Sequence, residues 1–229
     1  TSLEVSYYRF GDGSLVATRT AAVLPGRSFV GSPNDEGDLP ADTQFSVVVK
    51  ATGAPVVAVV NEHQGQGSAA EALSYSGFSA GSTKVSLPLV AKMAGGWLTT
   101  MIIQNLGAFS TTVTASFTSL DGSPSASVAR TVMPGRSQVI DPRGEPALRD
   151  GVEYAATLTA SEPIAVVANA HNDLPGTAMP MGDSYNGVPA VTGTTTYAPY
   201  VTKNTDGVGR NSRIIVQNEK PRFRRSISA

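Results

Sequence analysis

The sequence predicts an all-β chain of two tandem β-sandwich repeats. Three observations predict it: the composition, an internal repeat, and the alternation of apolar with polar residues. Charged residues make up 15% of the 229 positions, against about a quarter in ordinary soluble domains. Gly (23) and Pro (15) are plentiful. Helix surfaces draw on Glu, Lys and Arg, so a chain poor in these and rich in turn formers reads as strands joined by turns. No stretch combines helical periodicity with caps.

The repeat is explicit. Asp12-Gly13-Ser14 returns as Asp121-Gly122-Ser123, and Pro25-Gly26-Arg27-Ser28 as Pro134-Gly135-Arg136-Ser137. Pro55 opens an apolar run ending in Asn61-Glu62-His63, and Pro163 one ending in Asn169-Ala170-His171. Ser74-Tyr75-Ser76-Gly77 matches Ser184-Tyr185-Asn186-Gly187, Pro88 to Lys92 matches Pro199 to Lys203, and Ile102 to Asn105 matches Ile215 to Asn218. The offsets are 109, 109, 108, 110, 111 and 113, the slow drift that small loop insertions give a duplicated unit.

In chain order, Leu3, Val5 and Tyr7 alternate with polar neighbours as a half-buried strand does. Gly11 reads as one inserted residue, a bulge beside the Asp-Gly turn. Pro-Gly-Arg-Ser suits a tight turn, Pro fixing φ and Gly taking φ > 0. Phe45, Val47 and Val49 form the next alternating set. Val56 to Val60 are continuously apolar, as in a strand covered on both faces. The second copy repeats these signals at Val113, Ala115 and Phe117, at Tyr154, Ala156 and Leu158, and at Ile164 to Ala168. Strands at this spacing point to an immunoglobulin-like sandwich of about seven strands per copy.

The phase of the repeat carries the functional expectation. The Ile-Ile-Gln-Asn strand leads into the alternating strand at Val113, so a unit starts near Ser86. Residues 1–83 then form a first repeat lacking its leading strands, 84–192 a complete second repeat, and 193–229 the leading strands of a further repeat plus a basic tail. Unpaired sheet edges invite docking. Residues Arg213, Ile214, Ile215, Val216, Gln217 and Asn218 are the candidate assembly strand, with Ile214 and Val216 directed into a core. They complete the first repeat within their own chain or in a neighbour joined head to tail, or the chain is a piece of a longer array.

Other candidates weigh less. Cys is absent, excluding thiol catalysis, disulfides and Cys-ligated zinc. A net charge of −1 argues against nucleic acid as a partner, and the run Ala54 to Val60 is too short to span a bilayer. Ser79 in Gly77-Phe78-Ser79-Ala80-Gly81 fits G-x-S-x-G, but that motif needs a helix after it, and the second copy has no serine there. His63 and His171, each two residues after Asn61 and Asn169, read as structural positions satisfying backbone groups where a buried strand meets a loop. Asn34, Asp35, Glu36, Asp38 and Asp42 could gather around Ca²⁺, although the spacing favours a solvated loop. Six basic residues, Arg210, Arg213, Lys220, Arg222, Arg224 and Arg225, crowd the last twenty positions as a charged tail or protected edge. Trp97 is expected to pack across the sandwich. No catalytic residue, cofactor or metal is assigned, and the chain is read as non-enzymatic.

Trp97 to Thr100, Ile102 to Gly107, the Asp-Gly turn, Pro134 to Ser137 and Pro163 to Asn169 together resemble the tandem β-sandwich repeats of bacterial secreted and cell-surface proteins. The resemblance implies an extracellular structural or assembly role. Carbohydrate binding at loops on one end of a sandwich is the alternative.

Overall fold

The computed structural model describes residues 1–64, 71–172, 181–190, 195–205 and 210–218. It is all-β, with antiparallel sheets. Strands β1 (Ser2–Arg9), β2 (Leu15–Ala22) and β3 (Phe45–Thr52) form a sheet in the order β2-β1-β3. Strands β4 (Val59–Gln64) and β5 (Glu71–Ser76) pair with each other and, among the described residues, with no other strand. Eight strands form one nearly closed sheet: β6 (Ser82–Ala94), β7 (Trp97–Asn105), β8 (Thr111–Ser119), β9 (Ala126–Val132), β10 (Ser137–Ile140), β11 (Val152–Asn172), β12 (Met181–Asn186) and β13 (Val188–Pro189). A short hairpin, β14 (Lys203–Thr205) with β15 (Arg210–Asn211), follows.

The length of β11 makes the large sheet fold on itself. Its first part, residues 152–159, runs between β6 and β8, while residues 164–172 pair with β7 and β12. The register with β6 breaks between Thr159 and Ile164. Pro163 lies in that break and has no N–H to give a ladder, so the strand bends from one layer into the other. Between the layers Leu87, Val90, Met101, Ile103, Phe117, Tyr154, Leu158 and Val166 are wholly buried. Phe117 meets Tyr154 edge to face, centroids 6.0 Å apart.

The first half has a smaller core of Leu3, Val5, Tyr7 and Ala17, against which Val23, Leu39 and Phe45 pack. Its local geometry matches the second half at several points. Tyr7 meets Phe45 edge to face at 6.1 Å. Asp12 accepts from the Ser14 backbone N–H at 2.9 Å, and Asp121 from that of Ser123 at 2.8 Å; these bonds with the serines hold both carboxyls below the usual carboxylate range. The ion pair Arg19–Glu36 has a similar one in Arg130–Glu145, although Arg19 aligns with Val128 and Arg130 lies two residues further along β9. A 3₁₀ turn at Pro33–Asp35 corresponds to one at Pro142–Gly144. Each is followed by a left-handed residue, Asp42 at φ 52° and Gly151 at φ 77°. Asp tolerates that region better than most L-residues.

Three expectations need correction. Val56 to Val60 were expected to be covered on both faces, yet Val57 is fully exposed and Val59 is 63% exposed. Their second-half counterparts, Ala165 and Val167, are buried where β7 pairs with both and β12 joins from Val167 onward. Residues 53–58 have no such partner among the described residues, and without ladder bonds they form no strand. Trp97 does not enter the core either: it is half-buried beside the β6–β7 turn and lines an open cleft. The irregularity beside the first hairpin falls between Tyr7 and Tyr8, short of Gly11.

Candidate assembly site

The open face of the first half is defined by what its counterpart possesses. Residues 152–159 of β11 have β8 on one edge and β6 on the other. Strand β3 has β1 on one edge, and among the described residues nothing pairs with the other. Ala156 and Leu158 are buried, whereas the matching Val47 and Val49 are exposed. Val47, Val49, Val56, Val57, Val59 and Val60 are thus exposed apolar residues on and after a strand whose second edge is unpaired among the described residues. Monomeric proteins rarely leave such a combination open.

The candidate strand is present but sits elsewhere. Arg213 makes two bonds to the Glu153 carboxylate, one at 2.6 Å, and holds that carboxyl below its usual range through the hydrogen bond. The Gln217 side chain donates to the Ala156 carbonyl at 3.2 Å and to the Thr157 hydroxyl at 3.0 Å. Residues 213–218 therefore lie against the second half, and the closure of the first repeat within its own chain is not what this arrangement contains. The seat is poor. Ile214 is 64% and Val216 85% exposed, and Gln217 Oε1 is buried without a hydrogen-bond partner among the described residues. The equivalent residues of β7, Met101 and Ile103, are wholly buried. Ile214 and Val216 are core side chains that have no core here.

The histidine positions differ from expectation in their partners. Asn61 accepts from the Ser74 hydroxyl at 2.9 Å and Asn169 from that of Ser184 at 2.8 Å. Both are cross-strand side-chain pairs, Asn61 opposite Ser74 and Asn169 opposite Ser184, where backbone partners were expected. His171 Nδ1 lies 3.0 Å from both oxygens of the buried Glu71, joining the two halves of the chain. His63 is exposed. Asn186 strengthens the same junction by bonding the backbone N–H and carbonyl of Ser76. Gly182 lets β12 approach this closely, since a Cβ there would run into Glu71 and Leu73. Hydrogen bonds to a charged group contribute about 1.5–3 kcal/mol, so His171→Ala lowers stability by about that much in urea unfolding. A double-mutant cycle with Glu71→Gln should recover most of it as coupling.

The remaining candidates are distributed singly. Ser79 sits in a bend between β5 and β6, with a strand where the nucleophile motif needs a helix. In the acidic loop Glu36 and Asp38 both bind Arg19, and no group of three metal-ligating side chains occurs among the described residues. Lys220, Arg222, Arg224 and Arg225 lie outside the described residues. A cleft of about 550 Å³ is lined by Trp97, Asp121, Glu153 and Arg213. Arg136 lies over the Tyr8 ring, 5.5 Å from its centroid, a further contact between the halves. No helix among the described residues is long and apolar enough to cross a membrane.

No family model matches the sequence, and no curated protein matches it. Among solved structures it is similar to Thermotoga maritima 1070, at 14% identity and TM-score 0.41 over 48% of this chain and 96% of that one. It is also similar to the Anabaena sensory rhodopsin transducer, at 20% identity and TM-score 0.33 over 39% of this chain and 97% of that one.

Proposed function

We propose that this is a non-enzymatic structural protein of two immunoglobulin-like sandwich repeats, whose copies join head to tail by strand donation. Residues 195–218 of one chain cover the open face of the next chain's first repeat. One observation carries this reading: the exposed apolar residues of 43–60 and of 195–218 are the positions that bury one another in the second half. Transferring the pairing of β11 with β7 sets Val59 opposite Ile215 and Val60 opposite Ile214. The pairing with β6 sets Phe45 opposite Val201. Each buried aliphatic side chain adds about 1.5–3 kcal/mol, and the new ladder satisfies the free edge of β3. A contact between unlike surfaces that does not close on itself grows into a filament. In a longer array the adjoining repeat would fill the same face.

The resemblance to tandem sandwich repeats of secreted and cell-surface proteins supports an extracellular setting. A carbohydrate-binding module is the competing class, and a glycan array distinguishes it. Light scattering and negative-stain imaging of the intact chain and of a chain lacking residues 210–229 test the proposal. The intact chain is expected to form concentration-dependent linear assemblies and the shortened chain to stay monomeric. Identical assemblies from both would refute strand donation.

A further inference from the structure

The second half contains a lysine site whose counterpart in the first repeat is a loop of matching backbone geometry. Lys92, near the end of β6, is buried. Its ammonium donates to the carbonyls of Glu145 at 3.1 Å and Leu148 at 3.0 Å, and Asp150 lies 3.3 Å away. A buried ammonium is tolerable only with such a set of acceptors. The loop holds the carbonyls in place through the bonds Glu145 N–H to Pro142 and Leu148 N–H to Glu145, at 3.1 and 3.0 Å.

The first repeat builds the same loop. Glu36 N–H bonds Pro33 at 3.2 Å and Leu39 N–H bonds Glu36 at 3.0 Å, and the left-handed Asp42 stands where Gly151 does. The carbonyls of Glu36 and Leu39 therefore correspond to the two that hold Lys92. Asp35 and Asp42 add negative charge to a loop that sequence alone offered as a cation site. The residue matching Lys92 is Lys203, on the proposed donor segment and exposed in this chain.

We infer that the loop at residues 33–42 is a receptor for the Lys203 ammonium of a second copy, and that this contact fixes the register of donation. The inference rests on the assembly reading above. Lys203 comes to lie opposite Thr43, as Lys92 lies opposite Val152. Apolar side chains alone tolerate a two-residue slip that keeps the same face inward, because the side-chain period is two. A lysine that must reach two fixed carbonyls does not.

Amine labelling with an N-hydroxysuccinimide ester, read by mass spectrometry, tests this on the full chain. On passing from dilute monomer to assembly, labelling of Lys203 is expected to fall at least tenfold, while that of Lys50, on the exposed face of β3, changes little. Lys203→Met is expected to raise the concentration needed for assembly at least tenfold without altering the monomer's melting. If Lys203 stays as reactive as Lys50 in assemblies that require residues 195–218, the lysine receptor is wrong and donation stands. If the chain shortened before residue 195 assembles unchanged, donation itself is wrong and the receptor falls with it.

Discussion

Replacing Ile214 and Val216 together by aspartate is expected to abolish association of the chain at any concentration where the parent assembles. Neither side chain supports the monomer, since both are largely exposed against the second half. The monomer's stability should therefore change by less than about 0.5 kcal/mol, as for surface substitutions generally. In an assembly both would enter a core equivalent to the one around Met101 and Ile103. Burying two carboxylates there costs far more than the aliphatic burial they replace. Sedimentation velocity checks the outcome. The effect is selective because the same residues are inert in one state and decisive in the other.

The second large effect separates the two halves. Phe117→Ala is expected to cost about 3–5 kcal/mol, the range for removing a fully buried phenylalanine. Phe117 lies in a core closed by layers on both sides and meets Tyr154 edge to face. Tyr7 is its counterpart, yet its core has one sheet behind it and an open face in front. A site that can relax or admit water is cheaper to truncate, so Tyr7→Ala should cost roughly half as much or less in the monomer. Trp97, the chain's one tryptophan, sits in β7 and reports the unfolding of the second half by fluorescence. Equal costs at the two positions would mean that the first half has a closed core of its own.

Much of the architecture was legible because it rests on short-range chemistry. Alternation marked β1, β3 and β8, and the Asp-Gly and Pro-Gly turns fell at the ends of strands, since these signals depend only on neighbouring residues. Exposure was not legible at Val56 to Val60. An apolar run states what a segment needs, whereas burial depends on whether a partner strand is at hand. The Lys92 site was invisible for a different reason. Its acceptors are backbone carbonyls, which leave no mark in a sequence, so Lys92 entered only as part of the Pro88–Lys92 repeat match. His171 was misread in its partner because Glu71 belongs to the other half, 100 positions away, and its second-copy counterpart is Met181. Trp97 was expected to pack across the sandwich because no aromatic stripe accompanies it, while its place beside the Gly95-Gly96 turn keeps it at the rim.

The absence of cysteine permits a direct measurement of where residues 213–218 go. With Val59→Cys and Ile215→Cys introduced in one chain, the transferred register sets the two sulfurs across adjacent antiparallel strands, within reach of a disulfide. Mild oxidation followed by non-reducing electrophoresis is expected to give a covalent ladder of dimer, trimer and higher species, reversed by dithiothreitol. Monomer alone, whether internally bridged or with both thiols still free, would contradict donation between chains.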